Sequence, residues 1–187
     1  MIFDGYKDML STKGMEQTRR ALKFSSTEIL FTDDMSITVQ QDSFLVKRKN
    51  KSRLIKVLMK HMKEAGITAS KSSADADALI VRTAIKLSND RDVVVVGTDV
   101  DLLLLLIQLC SQECRIYFFK PGIGNVPGKI YSIKDIHESL PVSKNSLLFM
   151  HAITCCDTIS ALYRQGKKKT FQLLHKNPDL QECINVF

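Results

Sequence analysis

The chain contains no Cys-x-x-Cys pair. Its five cysteines, Cys110, Cys114, Cys155, Cys156 and Cys183, are odd in number, and its four histidines are scattered. That spacing excludes a zinc finger or ribbon and argues against a disulfide framework. Reduced thiols in an intracellular protein are the expected state. Long apolar runs are also missing: Leu102–Leu106 falls far short of the roughly 20 residues that span a bilayer. The opening Met1-Ile-Phe-Asp4 has none of the regions of a signal peptide. No membrane partner is therefore expected. There is no internal repeat and no low-complexity segment.

Negative charge is in deficit. Against 27 Lys and Arg stand 20 Asp and Glu, a net charge of +7. A basic balance suits a polyanionic partner without specifying one. The 187 residues, 44% hydrophobic and 25% charged, read as one domain, or one domain with a small appendage, of ordinary soluble globular composition and with enough chain to bury a core.

Along the chain, strands alternate with helices. Met1–Phe3 reads as the end of a buried strand, so the N-terminus is expected to be incomplete. Residues 12–24 read as a helix. Residues 25–50 lack clear periodicity and suit either short strands, such as Glu28–Phe31, or a cap or flexible insertion. Leu54, Ile55, Leu58, Met59 and Met62 have helical spacing, with Gly66 as the stop. A short strand at Ile67–Ser70 and a helix at Ala74–Leu87 follow. The β-branched run Asp92–Gly97 looks like a central parallel strand covered on both faces. A helix at Asp101–Leu109, a strand at Arg115–Phe119, a loop at Pro121–Gly128, a brief strand at Lys129–Tyr131 and a helix at Ile133–Leu140 come next. Beyond Pro141 the chain reads as helical. The alternation predicts a three-layer α/β domain with a mainly parallel sheet, divided into an α/β part, 1–141, and a helical part, 142–187.

Two acidic motifs stand out: Asp75-Ala-Asp77 before a helix, and Asp99-Val-Asp101 after the Val93–Thr98 run. In parallel sheets, ligand sites lie outside the carboxyl ends of strands, where Asp4 and Asp99 are expected. Paired carboxylates repel one another, and a hard cation such as Mg²⁺ relieves that while holding substrate phosphate. The pattern therefore points to metal-dependent chemistry on phosphate esters.

The order Phe3-Asp-Gly5, a basic helix, Ala-Asp75-Ala-Asp77-Ala, Gly97-Thr-Asp-Val-Asp101, then Cys156-Asp-Thr158 with Arg164-Gln-Gly-Lys-Lys-Lys169 resembles the flap endonuclease and XPG-like branch of the PIN-like nuclease superfamily. It is most similar to an uncharacterised animal subgroup carrying Cys-Asp-Thr and Gly-Lys-Lys-Lys. The resemblance covers nearly the whole chain except 25–50. It implies a PIN-like fold ending in a helix–two-turn–helix-like element. It also implies two Mg²⁺ or Mn²⁺ ions on Asp4, Asp75, Asp77, Asp99, Asp101 and Asp157. Lys13 and Arg20 would orient phosphate, and Gly166, Lys167, Lys168 and Lys169 would grip a nucleic-acid backbone, DNA in preference to RNA. A nuclear location would suit such a substrate.

Departures from the family are visible. Asp replaces the usual Glu at 75 and 77, Cys155 replaces a Gly, and the family's acidic residue on an earlier strand has no counterpart. They motivate an alternative, a catalytically inactive nucleic-acid-binding or scaffold protein. A small-molecule phosphatase is a third reading, disfavoured by the basic C-terminal motif.

Each motif also has a plainer reading. Asp99 and Asp101 suit a helix cap, and Asp75 and Asp77 suit the first turn of a helix. Asp4 suits a turn, and Asp157 an N-cap. Lys167–Lys169 and the basic run Lys47–Lys51 with Arg53 suit solvated faces. His61, His137, His151 and His175 suit surface or satisfied core positions, and Cys155 and Cys156 burial.

Overall fold

The computed structural model describes residues 1–5, 27–73, 76–154 and 166–184, and it divides into two units, Met1–Ala76 and Asp77–Phe187. The helix expected at 12–24 lies outside the described residues.

In the first unit, β1 (Ile2–Phe3) pairs in parallel with β2 (Ser70–Lys71), Ile2 facing Ser70 and Phe3 facing Lys71. Between them in sequence run α1 (Gln41–Val46) and α2 (Arg48–Glu64). α2 starts earlier than its apolar spacing predicted and stops where expected. Gly66 has φ +73, its N–H bonds to Lys63 O at 3.1 Å, and Ile67 N–H bonds to Met62 O at 2.8 Å. That pair of bonds is the Schellman closure, and it uses the left-handed conformation glycine adopts without strain.

Residues 27–34 form no strand; they lie along α2. The organiser is Asn50, which is 0% exposed. Its Oδ1 accepts from Ile29 N at 2.8 Å, and its Nδ2 donates to Thr27 O at 3.0 Å and Phe44 O at 3.2 Å. A buried amide is tolerated only when satisfied in this way. Arg53 donates to Ile29 O and stacks 5.8 Å from the centre of the Phe31 ring. Phe31 meets Phe44 edge-on at 5.5 Å. The basic run on α2 is met by acids of the same segment: Lys49–Glu28 at 2.8 Å, Arg53–Glu28 at 3.5 Å and Lys60–Asp33 at 2.8 Å.

The second unit holds β3 (Val93–Val96), β4 (Ile116–Lys120) and β5 (Lys129–Ser132), in the order β3-β4-β5. β3 and β4 are parallel, Val93 facing Ile116; β4 and β5 are antiparallel, Phe118 facing Tyr131. The helices are α3 (Ala76–Ser88, entering from the first unit), α4 (Val100–Leu109), α5 (Ile133–Ser139), α6 (Lys144–Ile153), α7 (Lys167–Lys176) and α8 (Pro178–Ile184). The core joins Val81 of α3, Val95 of β3, Leu106 and Ile107 of α4, Ile116 and Phe118 of β4, Ile133, Met150 and Leu174. Fully burying each such side chain contributes about 1.5–3 kcal/mol. The expectation that β3 is covered on both faces is not met: Val95 is buried, but Val94 is 55% and Val96 61% exposed. Among the described residues β3 is an edge of its sheet, and a β-branched run fits an edge or a centre equally well. The secondary structure is otherwise close to the expected α/β alternation, and the described residues beyond Pro141 are helical apart from short connections.

Candidate functional site

The site is built where β3 gives way to α4. Asp99 has extended backbone, φ −82 and ψ 136, and is the N-cap of α4. Its Oδ1 accepts from Asp101 N–H at 3.0 Å. Asp101 follows in the first turn, so both carboxylates stand at the positive end of the helix dipole, where negative charge is favoured. Leu102, Leu104, Leu106 and Ile107 bury the rest of α4 and fix that end in place. The capping reading of Asp99 is therefore real, and it is compatible with a ligand role, because one oxygen makes the cap.

Asp101 has a partner that sequence reasoning missed. His151 Nε2 lies 3.1 Å from Asp101 Oδ1. His151, expected to be a surface or satisfied core residue, is 8% exposed, and its Nδ1 has no hydrogen-bond partner among the described residues. Its neighbours on α6 give the signal that was available. Leu147, Met150, His151 and Thr154 are all buried, a spacing that puts the histidine on the inward stripe. His137 also turns inward, its Nε2 2.7 Å from Ile107 O, in a purely structural bond.

The remaining predicted residues separate into two groups. Asp4, at the end of β1, accepts from Ala76 N–H through Oδ1 at 3.0 Å, so it satisfies the first turn of α3 from outside the helix. Gly5 beside it has no room for a side chain: a Cβ there would lie 1.9 Å from Ser72 O. Asp77 is in the first turn of α3 and half-buried. Lys13, Arg20, Asp75 and Asp157 lie outside the described residues. Gly166 is the N-cap of α7 and Lys167–Lys169 open the helix, with no acid in the first turn. Three cations on a helix N-terminus oppose the dipole, and a bound anion would relieve that. α7 and α8 meet at Asn177, with Pro178 at the first position of α8, which its fixed φ favours.

Among the described residues the structure brings Asp99 and Asp101 together, and no three His, Cys, Asp or Glu side chains gather into a group that could hold a metal ion. The donor chemistry of the pair fits a hard cation: both side chains are carboxylates, Asp99 capping α4 through Oδ1 and Asp101 lying 3.1 Å from His151 Nε2. Cys110, the C-cap of α4, and Cys114 are buried; burial, then the Cys114 sulfur beside it, pushes the Cys110 thiol up to about 12. No helix among the described residues is long and apolar enough to cross a membrane.

No protein-family model and no curated protein matches the chain. A solved structure does: human GEN1 in complex with Holliday junction DNA, at a TM-score of 0.51 and 16% identity over 97% of this chain. This chain spans 48% of that one, about half its length. The architecture is thus a mixed α/β fold shared with that solved structure, as the alternation of strands and helices led us to expect.

Proposed function

We propose that the chain is a metal-dependent nuclease that hydrolyses phosphodiester bonds in branched or otherwise structured DNA, or RNA, with two Mg²⁺ or Mn²⁺ ions. The observation that carries this reading is the Asp99–Asp101 pair at the start of a buried helix, with Asp99 Oδ1 on the Asp101 N–H and Asp101 Oδ1 3.1 Å from His151 Nε2. Asp99 and Asp101 would hold a cation, joined by Asp4, Asp75, Asp77 and Asp157. Bound there, the ions would activate a water and stabilise the leaving oxygen. The Asp101 N–H holds Asp99 through Oδ1 without the ions. Lys13 and Arg20 would draw the scissile phosphate in and balance its charge. Gly166 and Lys167–Lys169 would hold the backbone of the substrate by charge and amide N–H groups, without reading sequence. Residues 1–141 would form the nuclease part and 142–187 the nucleic-acid-binding element, in a protein of the cell interior for which the nucleus is the natural place. The likeness to a fold crystallised on junction DNA supports this substrate class.

A second reading has a specific observation in its favour. Asp99 and Asp101 have structural neighbours already, Asp99 as the cap of α4 and Asp101 beside His151, which suits a protein that binds nucleic acid without cutting it. Labelled flap, nicked, four-way and single-stranded substrates, incubated with Mn²⁺ or Mg²⁺ and with EDTA as control, separate the two. Cutting that EDTA abolishes supports the nuclease. Salt-sensitive binding with no cutting supports the binding protein.

A further inference from the structure

We propose that the cleft beside the C-terminal half of α2 is a docking site for an acidic peptide of a partner protein, one that carries an apolar anchor residue among its carboxylates. The cleft lies wholly within the first unit and has a volume of about 600 Å³. One wall is α2, where Lys56, Lys60 and Lys63 fall at i, i+4 and i+7 with Met59 on the same face. The other wall is Ile67 and Ala69, which the left-handed Gly66 turns back toward the helix. The site shares no residue with the nuclease reading, so either can fail without the other.

The lining dictates the occupant. Lys56 and Lys63 make no ion pair among the described residues, and lysines spaced by three and four residues repel one another. An anion relieves that repulsion. Ile67 follows the Gly66 closure, where an apolar residue is commonly covered by the last helical turn; here it is 51% exposed. Phosphates alone would answer the lysines and leave Met59, Ile67 and Ala69 uncovered. An acidic segment with an apolar side chain neutralises the one set and covers the other.

A segment of that chemistry is already bound to α2 in cis. Glu28 pairs with Lys49 and Arg53, Phe31 contacts Phe44 and the Arg53 guanidinium, and Asp33 pairs with Lys60 at 2.8 Å. The order along the chain is acid, apolar, acid. The cations form one stripe, because Lys49, Arg53, Lys56, Lys60 and Lys63 follow at steps of four and three residues, the spacing of a single helical face. Asp33 reaches the rim of the cleft at Lys60, and Lys63 continues the stripe beyond it.

The probe is a short synthetic peptide of aspartate and glutamate with one central leucine. It is titrated into the nitrogen-15-labelled full chain and followed by amide shifts, with thermal melts alongside. The Ile67 and Ala69 amides are expected to shift. Lys56→Gln with Lys63→Gln is expected to weaken the peptide about tenfold, the worth of two exposed ion pairs in the upper part of their usual range, at unchanged melting temperature. The matched pair Arg82→Gln with Lys86→Gln, exposed on α3, loses the same charge and is expected to stay within about twofold of wild type. Replacing the peptide leucine by alanine is expected to cost about fivefold on the wild-type chain. No shift at Ile67 or Ala69 with millimolar peptide overturns the proposal, as does a folded lysine variant weakened no more than the matched pair. Equal binding of the alanine peptide, or of a single-stranded oligonucleotide of the same charge, makes the cleft a general polyanion site and overturns the peptide assignment. If the lysine variant does not fold, the comparison of leucine and alanine peptides on wild type decides.

Discussion

Asp99 has two separable duties, and substitution can take them apart. Its Oδ1 accepts the Asp101 N–H at 3.0 Å as the N-cap of α4. Asp99→Ala removes the cap, which costs about 1 kcal/mol, within a range of about 0.5–2. For a protein of this size that lowers the melting temperature by about 2–4 °C per kcal/mol. Asp99→Asn keeps a side-chain oxygen that caps about equally well. It loses the attraction of a negative charge to the helix N-terminus, about 0.3–1 kcal/mol, and gains relief from repulsion by Asp101. These two effects oppose each other, so the Asn variant is expected to melt within about 2 °C of wild type. Its Mn²⁺ affinity, however, is expected to fall as far as that of the Ala variant, because a neutral amide replaces an anionic ligand. Circular dichroism melts and Mn²⁺ titrations on the same samples give both numbers. Equal melting losses in the two variants would refute the capping argument. An Asn variant that binds Mn²⁺ like wild type would refute the ligand argument and leave Asp99 as a cap alone.

Asn50→Ala removes three hydrogen bonds, at about 1 kcal/mol net each. A loss of about 3 kcal/mol in urea unfolding, with faster amide exchange over 27–46, is expected, and a loss below about 1 kcal/mol would contradict it. The hydrogen bonds from Lys49 and Lys60 hold Glu28 and Asp33 below their ordinary values of 4.5 and 3.8. Depressed carboxylate values mean that these pairs support the fold fully above those ordinary values and lose it as pH falls through the lower folded ones. Carbon-13 carboxyl titration checks the sign, and midpoints at or above the ordinary values would refute it. Cys110, pushed up to about 12 mainly by burial, stays a thiol at neutral pH. Iodoacetamide at pH 8 is expected to label exposed Cys183 well before Cys110, and peptide mapping that finds equal labelling would be the contrary result.

Local signals in the sequence located most elements, and tertiary ones did not. α2 was visible from Ile55, Leu58 and Met62 and its stop from Gly66, since spacing and a left-handed glycine are properties of neighbours in the chain. The start of α4 was visible from Asp99 for the same reason. Residues 27–46 were not, because one buried amide, Asn50, organises them, and its partners Thr27 and Ile29 lie more than 20 residues away. A polar residue in a basic run gives no hint that it is buried. His151 was missed in a related way. Its burial could have been read from the stripe of Leu147 and Met150, but its contact joins helices 50 residues apart in sequence. The exposure of Val94 and Val96 was hidden because four successive valines record a strand and say nothing of what covers each face.

The central claim is that the acidic pair opening α4 serves phosphodiester cleavage, and the isosteric double variant Asp99→Asn, Asp101→Asn tests it most directly. It is assayed beside wild type on an end-labelled branched duplex with Mn²⁺. Wild-type cutting that disappears in the double variant, with duplex binding retained and both proteins folded, is the predicted result. Equal cutting by the two, or wild type that binds the duplex and never cuts it, would contradict the claim.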